Sequence, residues 1–133
     1  MALTEPTAGR TIDEAAFAIK LTLAEACKRG DLLGYSSGWK RALATVGTAI
    51  QARFVAAEDG VSGDVITAFG NVKMSGYSGG TPGAAVYAAE GTSYGCVTET
   101  APTTTGDCNT IIGIILSATE IVLTPGYRVP SLA

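Results

Sequence analysis

The sequence predicts a mainly β fold: a small β-barrel or β-sandwich with one short helix and an extended N-terminal arm. Three observations lead there. The first is Gly106–Gly126, where two apolar runs rich in β-branched residues, Ile111–Leu116 and Ile121–Leu123, flank the polar Ser117-Ala118-Thr119-Glu120. Such side chains are stiff at χ1 and pack well on a pleated surface, so a hairpin is expected. The second is composition. Gly makes up 17 of 133 residues and charged residues only 16%, against about 7% and 25% in average soluble domains. That balance suits short strands and tight turns. The third is a recurring device: Gly30-Asp31 precedes Leu32-Leu33, Gly63-Asp64 precedes Val65-Ile66, and Pro82-Gly83 precedes Ala84-Ala85-Val86-Tyr87. Its spacing is too irregular for a solenoid.

Residues 1–12 carry polar character and little periodicity, which reads as an arm that orders on a partner. Residues 13–133 read as a single β-rich domain, long enough to build its own core. In Phe17–Leu23 the alternation of Phe17, Ile19, Leu21 and Leu23 with Ala18, Lys20 and Thr22 predicts a strand. A helix over Asp13–Arg29 competes, because Thr11 and Glu14 form a capping box. A second box, Thr22 with Glu25, favours a strand to Thr22 and then a short helix Leu23–Arg29 stopped by Gly30. Lys28 and Arg29 would then suit the negative end of its dipole.

Further strands are expected at Leu43–Gln51, Ala52–Ala57, Val65–Val72 and Tyr94–Thr98. Turns fall at Glu58-Asp59-Gly60, Ser75–Gly80 and Gly106-Asp107. Thr124-Pro125-Gly126 ends the last strand, since Pro lacks the N–H that a ladder needs. Two apolar strands need cover from the rest of the chain, which makes the hairpin the expected centre of the core.

Net charge is −3 with no block of Lys or Arg, so no phosphate-binding patch for nucleic acid is legible. No run of 18 apolar residues offers a membrane span, and the first residues lack the apolar stretch of a signal peptide. The expectation is a soluble protein made in the cytoplasm. Low charge also leaves a surface that points to contacts between subunits.

Cys27, Cys96 and Cys108 are the cysteines. A Cys96–Cys108 bridge would close a short loop around VTETAPTTTGD, adding about 3 kcal/mol if unstrained. Cytosolic synthesis favours free thiols, whereas a particle surface outside the cell permits oxidation. Both remain open at this point. Three Cys without any His fall short of a zinc site, and no cofactor loop is present.

Gly34-Tyr-Ser-Ser-Gly38 and Gly76-Tyr-Ser-Gly-Gly80 match the nucleophile-elbow pattern around Ser36 and Ser78. A serine hydroxyl needs a base, and this chain has no His. Glu58, Asp59 and Asp64 cluster in sequence but lie in a Gly-rich turn, where solvated carboxylates are usual. Arg29-Gly30-Asp31 spells an adhesion tripeptide, here across the expected helix stop and strand start. Trp39 and Tyr35 read as packing partners, with sugar stacking as the rival role. No catalytic set emerges, and a non-enzymatic protein is expected.

As a series, these segments resemble the tailed-phage head decoration, or capsid cement, proteins of the small β-domain type. The resemblance runs from Gly30-Asp31-Leu32-Leu33-Gly34-Tyr35, through Trp39-Lys40, Ala56-Ala57-Glu58-Asp59, Ser62-Gly63-Asp64-Val65 and Gly70-Asn71-Val72. It continues in Thr81-Pro82-Gly83-Ala84-Ala85-Val86-Tyr87 and Val97–Pro102, and closes with Gly106-Asp107, Ile112–Leu116 and Ile121–Leu123. It departs from the family at Ala84-Ala85, where Asp or a bulkier residue is usual, and at Cys96 and Cys108. The resemblance implies a non-enzymatic capsid component on the virion surface. It would bind the outside of the expanded head as a homotrimer and clamp the major capsid protein. Two other readings stand beside it: a tail-fibre or other virion module binding a host glycan, and a self-assembling surface or tube protein.

Overall fold

A computed structural model describes residues 3–6 and 9–127. Nine strands are present among them: β1 (Thr11–Thr22), β2 (Leu32–Tyr35), β3 (Trp39–Arg41), β4 (Phe54–Ala56), β5 (Val65–Ser75), β6 (Ala85–Ala88), β7 (Val97–Thr98), β8 (Gly113–Ile115) and β9 (Glu120–Leu123). They form one antiparallel sheet, curled into a half-barrel. The order is β3-β2-β4-β5-β9-β8-β6-β7, with β1 added along β5. The mainly β class read from the sequence is thus observed.

β5 organises the sheet. One of its edges pairs with β1 from Val65 to Ser75. Its other edge is shared: β4 takes Ala68 and Phe69, and β9 takes Val72 to Ser75. Strict alternation would keep Ile66, Ala68, Val72 and Met74 on one face. Instead Ile66 and Ala68 enter one apolar cluster, while Val72, Met74 and Phe69 meet another. The strand therefore turns over near Gly70.

A side chain at Gly70 would meet Phe17 on one side, 2.5 Å from Cδ2, and a Cβ at Gly126 would meet the Gly70 backbone on the other. Phe17 makes the matching turn in β1, with φ of 61°, a backbone that costs a bulky residue free energy. Its ring centroid lies 6.2 Å from that of Phe54, and the ring covers the space left by the missing Cβ of Gly70.

The larger cluster fills the half-barrel with Leu32, Val55, Met74, Val86, Ile112, Ile115, Ile121 and Leu123, each at most 1% exposed. The smaller one lies under Leu21, Leu23, Cys27, Leu33, Ala56, Ile66 and Ala68, with Trp39 and Phe54 packed against it. The predicted hairpin forms as β8–β9, pairing Gly113 with Leu123, Ile114 with Val122 and Ile115 with Ile121. Four of the most buried side chains belong to it or adjoin it, so its central place in the core stands.

Three expectations are corrected. The helix Leu23–Arg29 is absent; the helical turn among the described residues is a 3-10 turn at Pro125–Tyr127. In 23–29 the backbone donors find distant partners instead: Leu23 N to Asp64 O, Ala24 N to Trp39 O and Cys27 N to Gly60 O, at 2.8–2.9 Å. Burying Leu23 and Cys27 in the smaller cluster outweighs the local capping signal. Glu25, read as a capping residue, accepts hydrogen bonds from N and Nε of Arg41. Leu43–Gln51 is a loop closed by a Leu43–Ile50 bridge rather than a strand.

The described part of residues 1–12 is docked on its own chain. Leu3 joins the larger cluster, Thr4 bridges Ser78, and Thr11 and Ile12 already belong to β1.

Candidate functional site

A cleft of about 720 Å³ lies between the amino-terminal segment and the Gly30-Asp31 turn. Arg10 forms its buried side. Its Nε donates to Glu5 Oε1 at 2.8 Å, and its Nη1 donates to Asp31 Oδ1 and, at 3.2 Å, to Arg29 O. Nη2 reaches Cys96 Sγ at 3.5 Å. The carboxylates are held in turn: Glu5 Oε2 accepts from Val97 N, and Asp31 Oδ2 from Lys28 N, both at 2.9 Å. Burial opposes the charge on Arg10, but Glu5 and Asp31 outweigh it and raise the guanidinium pKa above its ordinary value.

Space for this network depends on two glycines. A Cβ at Gly30, where φ is +87°, would sit 2.5 Å from Arg10 Cδ, and one at Gly95 would sit 2.7 Å from Asp31 Cγ.

Two other cations of the cleft, Arg29 and Arg41, are also engaged. Arg29 N donates to Asp59 Oδ1 at 2.7 Å and Arg29 Nε to Arg10 O at 3.0 Å. Arg41 pairs with Glu25 and lies 5.4 Å from the ring centre of Tyr94. The arrangement is a polar clasp that holds residues 3–6 and 9–10 onto the domain. Asp31, only 6% exposed, is the clasp's anchor and not an adhesion tip.

The residues singled out from sequence are dispersed. Ser36 lies in the tight β2–β3 turn, where its N–H donates to Gly38 O, and Ser78 in the bridge to Thr4. Glu58 Oε2 accepts from Thr67 N, and Asp64 Oδ2 from Val61 N, both at 3.0 Å. These carboxylates fasten turns. No cluster of three or more metal-ligating side chains occurs among the described residues.

Tyr35 and Trp39 do pack together, edge to face with centroids 5.4 Å apart, and Trp39 continues to Phe54 at 5.6 Å. Tyr35 is 66% exposed, whereas Trp39 and Phe54 are half-buried over the smaller cluster.

All three cysteines are free thiols, so the Cys96–Cys108 bridge that spacing allowed is not formed. Two backbone segments stand between them: Cys108 N donates to Ala44 O, Ala44 N to Ala89 O, and Ala89 N to Cys96 O. Burial pushes each thiol pKa up, that of Cys27 to about 11 with Asp31 and Asp59 adding to it. A raised pKa means that the folded chain holds its proton more tightly than the unfolded chain. The Cys27 contribution is therefore complete below pH 9 and lost as pH rises through about 11. Thiol titration in denaturant without reductant is expected to count three; a count of one would reveal a bridge.

The second candidate surface is the outward side of the β8–β9 hairpin. Ile114, opposite Val122 and Ala85 in the ladders, is 47% exposed, and Ile111 and Leu116 are each 42% exposed. Sequence periodicity finds the hairpin's buried side chains but cannot tell that these three face outward. Compared with known proteins, the chain matches no family model, no curated protein and no solved structure.

Proposed function

We propose that this chain is a capsid decoration protein, which binds the outer surface of an expanded phage head and stabilises it without catalysis. The observation that carries this reading is the apolar outer side of the β8–β9 hairpin, with Ile111, Ile114 and Leu116 turned to solvent. It occurs in a chain whose ordered series of Gly-Asp turns and strands resembles that family. An apolar side of this kind suits a flat protein lattice that tolerates dehydration.

The partner in this reading is the major capsid protein, the location is the virion surface, and the homotrimer follows from the resemblance. The mechanism is linkage: a protein that binds only the expanded lattice stabilises it by its binding free energy, about 2.7 kcal/mol per site at a hundred times Kd. Leu3, Thr4, Glu5 and Arg10 are engaged on the domain itself, so contact with the lattice falls to the outward faces.

The test is to mix the purified protein with expanded, undecorated heads and with unexpanded precursors. Co-sedimentation with expanded heads, weakened by Ile114→Asp, is the expected result. Binding to neither particle overturns the reading.

A glycan-binding virion module is the second reading, favoured by the exposed Tyr35 beside Trp39. Their rings stand at 80° to each other, which leaves Tyr35 as the principal open face for a sugar. Glycan binding abolished by Tyr35→Ala would favour this reading over the first.

A further inference from the structure

We infer that the free edge of β1 is a contact between two copies of this chain, paired antiparallel about a two-fold axis near Ala16–Phe17. β1 runs for 12 residues along β5 and has no partner strand on its other side among the described residues. A long open edge is a template for strand addition, and proteins that stay apart blunt such edges with Pro, several charges or strong bulges. Here there is no Pro, the register shift lies near one end, between Ile12 and Glu14, and the turn at Phe17 (φ 61°) leaves Ala16 and Ala18 in the same register with β5. Beyond the shift, Glu14 to Thr22 continues in one unbroken register with β5.

The pattern of charge selects a second copy as the occupant. Asp13 and Glu14 stand at one end of the edge and Lys20 at the other, with Ala15-Ala16-Phe17-Ala18 between them. All of these are exposed, Phe17 to 49%. When the strand meets itself antiparallel, the acidic end of each copy falls beside Lys20 of the other, so both ends of the contact carry opposite charges. Small alanines let the backbones close, and two Phe17 rings come together at the axis. Lys20 Nζ donates to the uncharged Thr67 Oγ1, and Lys73, the cation near Asp13 and Glu14, lies 3.2 Å from Glu120. Neither arrangement neutralises the acidic end by a direct ion pair. A parallel pairing in register would instead set acid against acid, which destabilises.

The contact is isologous and closes at two copies. It is independent of the capsid reading and distinct from any three-fold contact; in a trimer it would join one trimer to the next.

Sedimentation equilibrium of three proteins tests it: wild type, Lys20→Glu, and Asp13→Lys with Glu14→Lys. Wild type is expected at twice the mass of either variant, with the association constant of each variant lowered about tenfold or more. Mixing the two variants is expected to restore the doubled species, because each then presents the charges that the other lacks. Circular dichroism of each variant separates loss of association from loss of fold. Equal masses for wild type and Lys20→Glu overturn the contact, whether both are monomers or both are trimers. Failure of the mixed variants to associate overturns it as well. Equal masses together with head binding would leave the decoration reading standing and remove only this contact.

Discussion

Replacing Arg10 with alanine is expected to destabilise the protein by about 3–5 kcal/mol, the range for removing one partner of a buried ion pair. The side chains of Arg10 and Asp31 are 10% and 8% exposed. Truncation would strand Asp31, and with it Glu5, in a site built around a cation. The cost exceeds the loss of the hydrogen bonds themselves, because the orphaned carboxylates keep their desolvation. Set against a typical total stability of roughly 5–15 kcal/mol, a change of that size moves the urea midpoint strongly at a nearly constant slope.

Arg41→Ala is the matched control. That side chain is 37% exposed beside a 33% exposed Glu25, and loss of such a pair costs about 1 kcal/mol or less. Equal effects from the two variants would contradict the clasp. Removing residues 1–10 deletes Leu3, Glu5 and Arg10 together, so it is expected to cost at least as much as Arg10→Ala.

Gly113→Val carries the second large effect, an expected loss of about 3 kcal/mol or more from overpacking. A Cβ at Gly113 would fall 2.0 Å from Val122 O and 2.8 Å from Leu123 Cδ2. The first of these is backbone of the paired strand, so nothing can swing aside. Relief requires β8 and β9 to separate, which opens the larger cluster at Ile115, Ile121 and Leu123. Gly83→Ala is the contrast: φ there is +85°, but nothing lies within 4 Å. It is expected to cost about 1 kcal/mol, the strain alone. Thermal melts of both variants give the comparison, and a Gly113→Val protein as stable as Gly83→Ala would refute the packing argument.

Local pattern carried the hairpin well. Ile111–Leu116 and Ile121–Leu123 are β-branched, separated by four polar residues, and bounded by Pro125-Gly126; those features act within a few residues and survive folding. β4, β5 and β6 were legible for the same reason. The short strand β3 was not, since Trp39-Lys40-Arg41 has no alternation and forms by closing on Leu33-Gly34-Tyr35. The helix expected over Leu23–Arg29 rested on a capping signal of about 1 kcal/mol. Three long-range backbone hydrogen bonds and two buried side chains prevail over it.

The clasp was illegible for a different reason. Arg10 lies in a segment without periodicity, and its partners Glu5, Asp31 and Cys96 span most of the chain. Only the need for Gly30 and Gly95 ties the site to residue type, and that need exists because folding brings Arg10 and Asp31 against them.

Composition, Gly-Asp turns and β-branched runs were enough to determine a mainly β chain with its hairpin at the centre, because alternation and turn chemistry are properties of neighbouring residues. Tertiary structure decided the rest. It folded residues 3–6 and 9–10 back onto the domain, kept Cys96 and Cys108 apart by two intervening segments, turned β1 and β5 over at Phe17 and Gly70, and left β1 with an open edge among the described residues. Each depends on which distant groups meet, and burial and pairing energies at those meetings exceed the local preferences that a sequence displays.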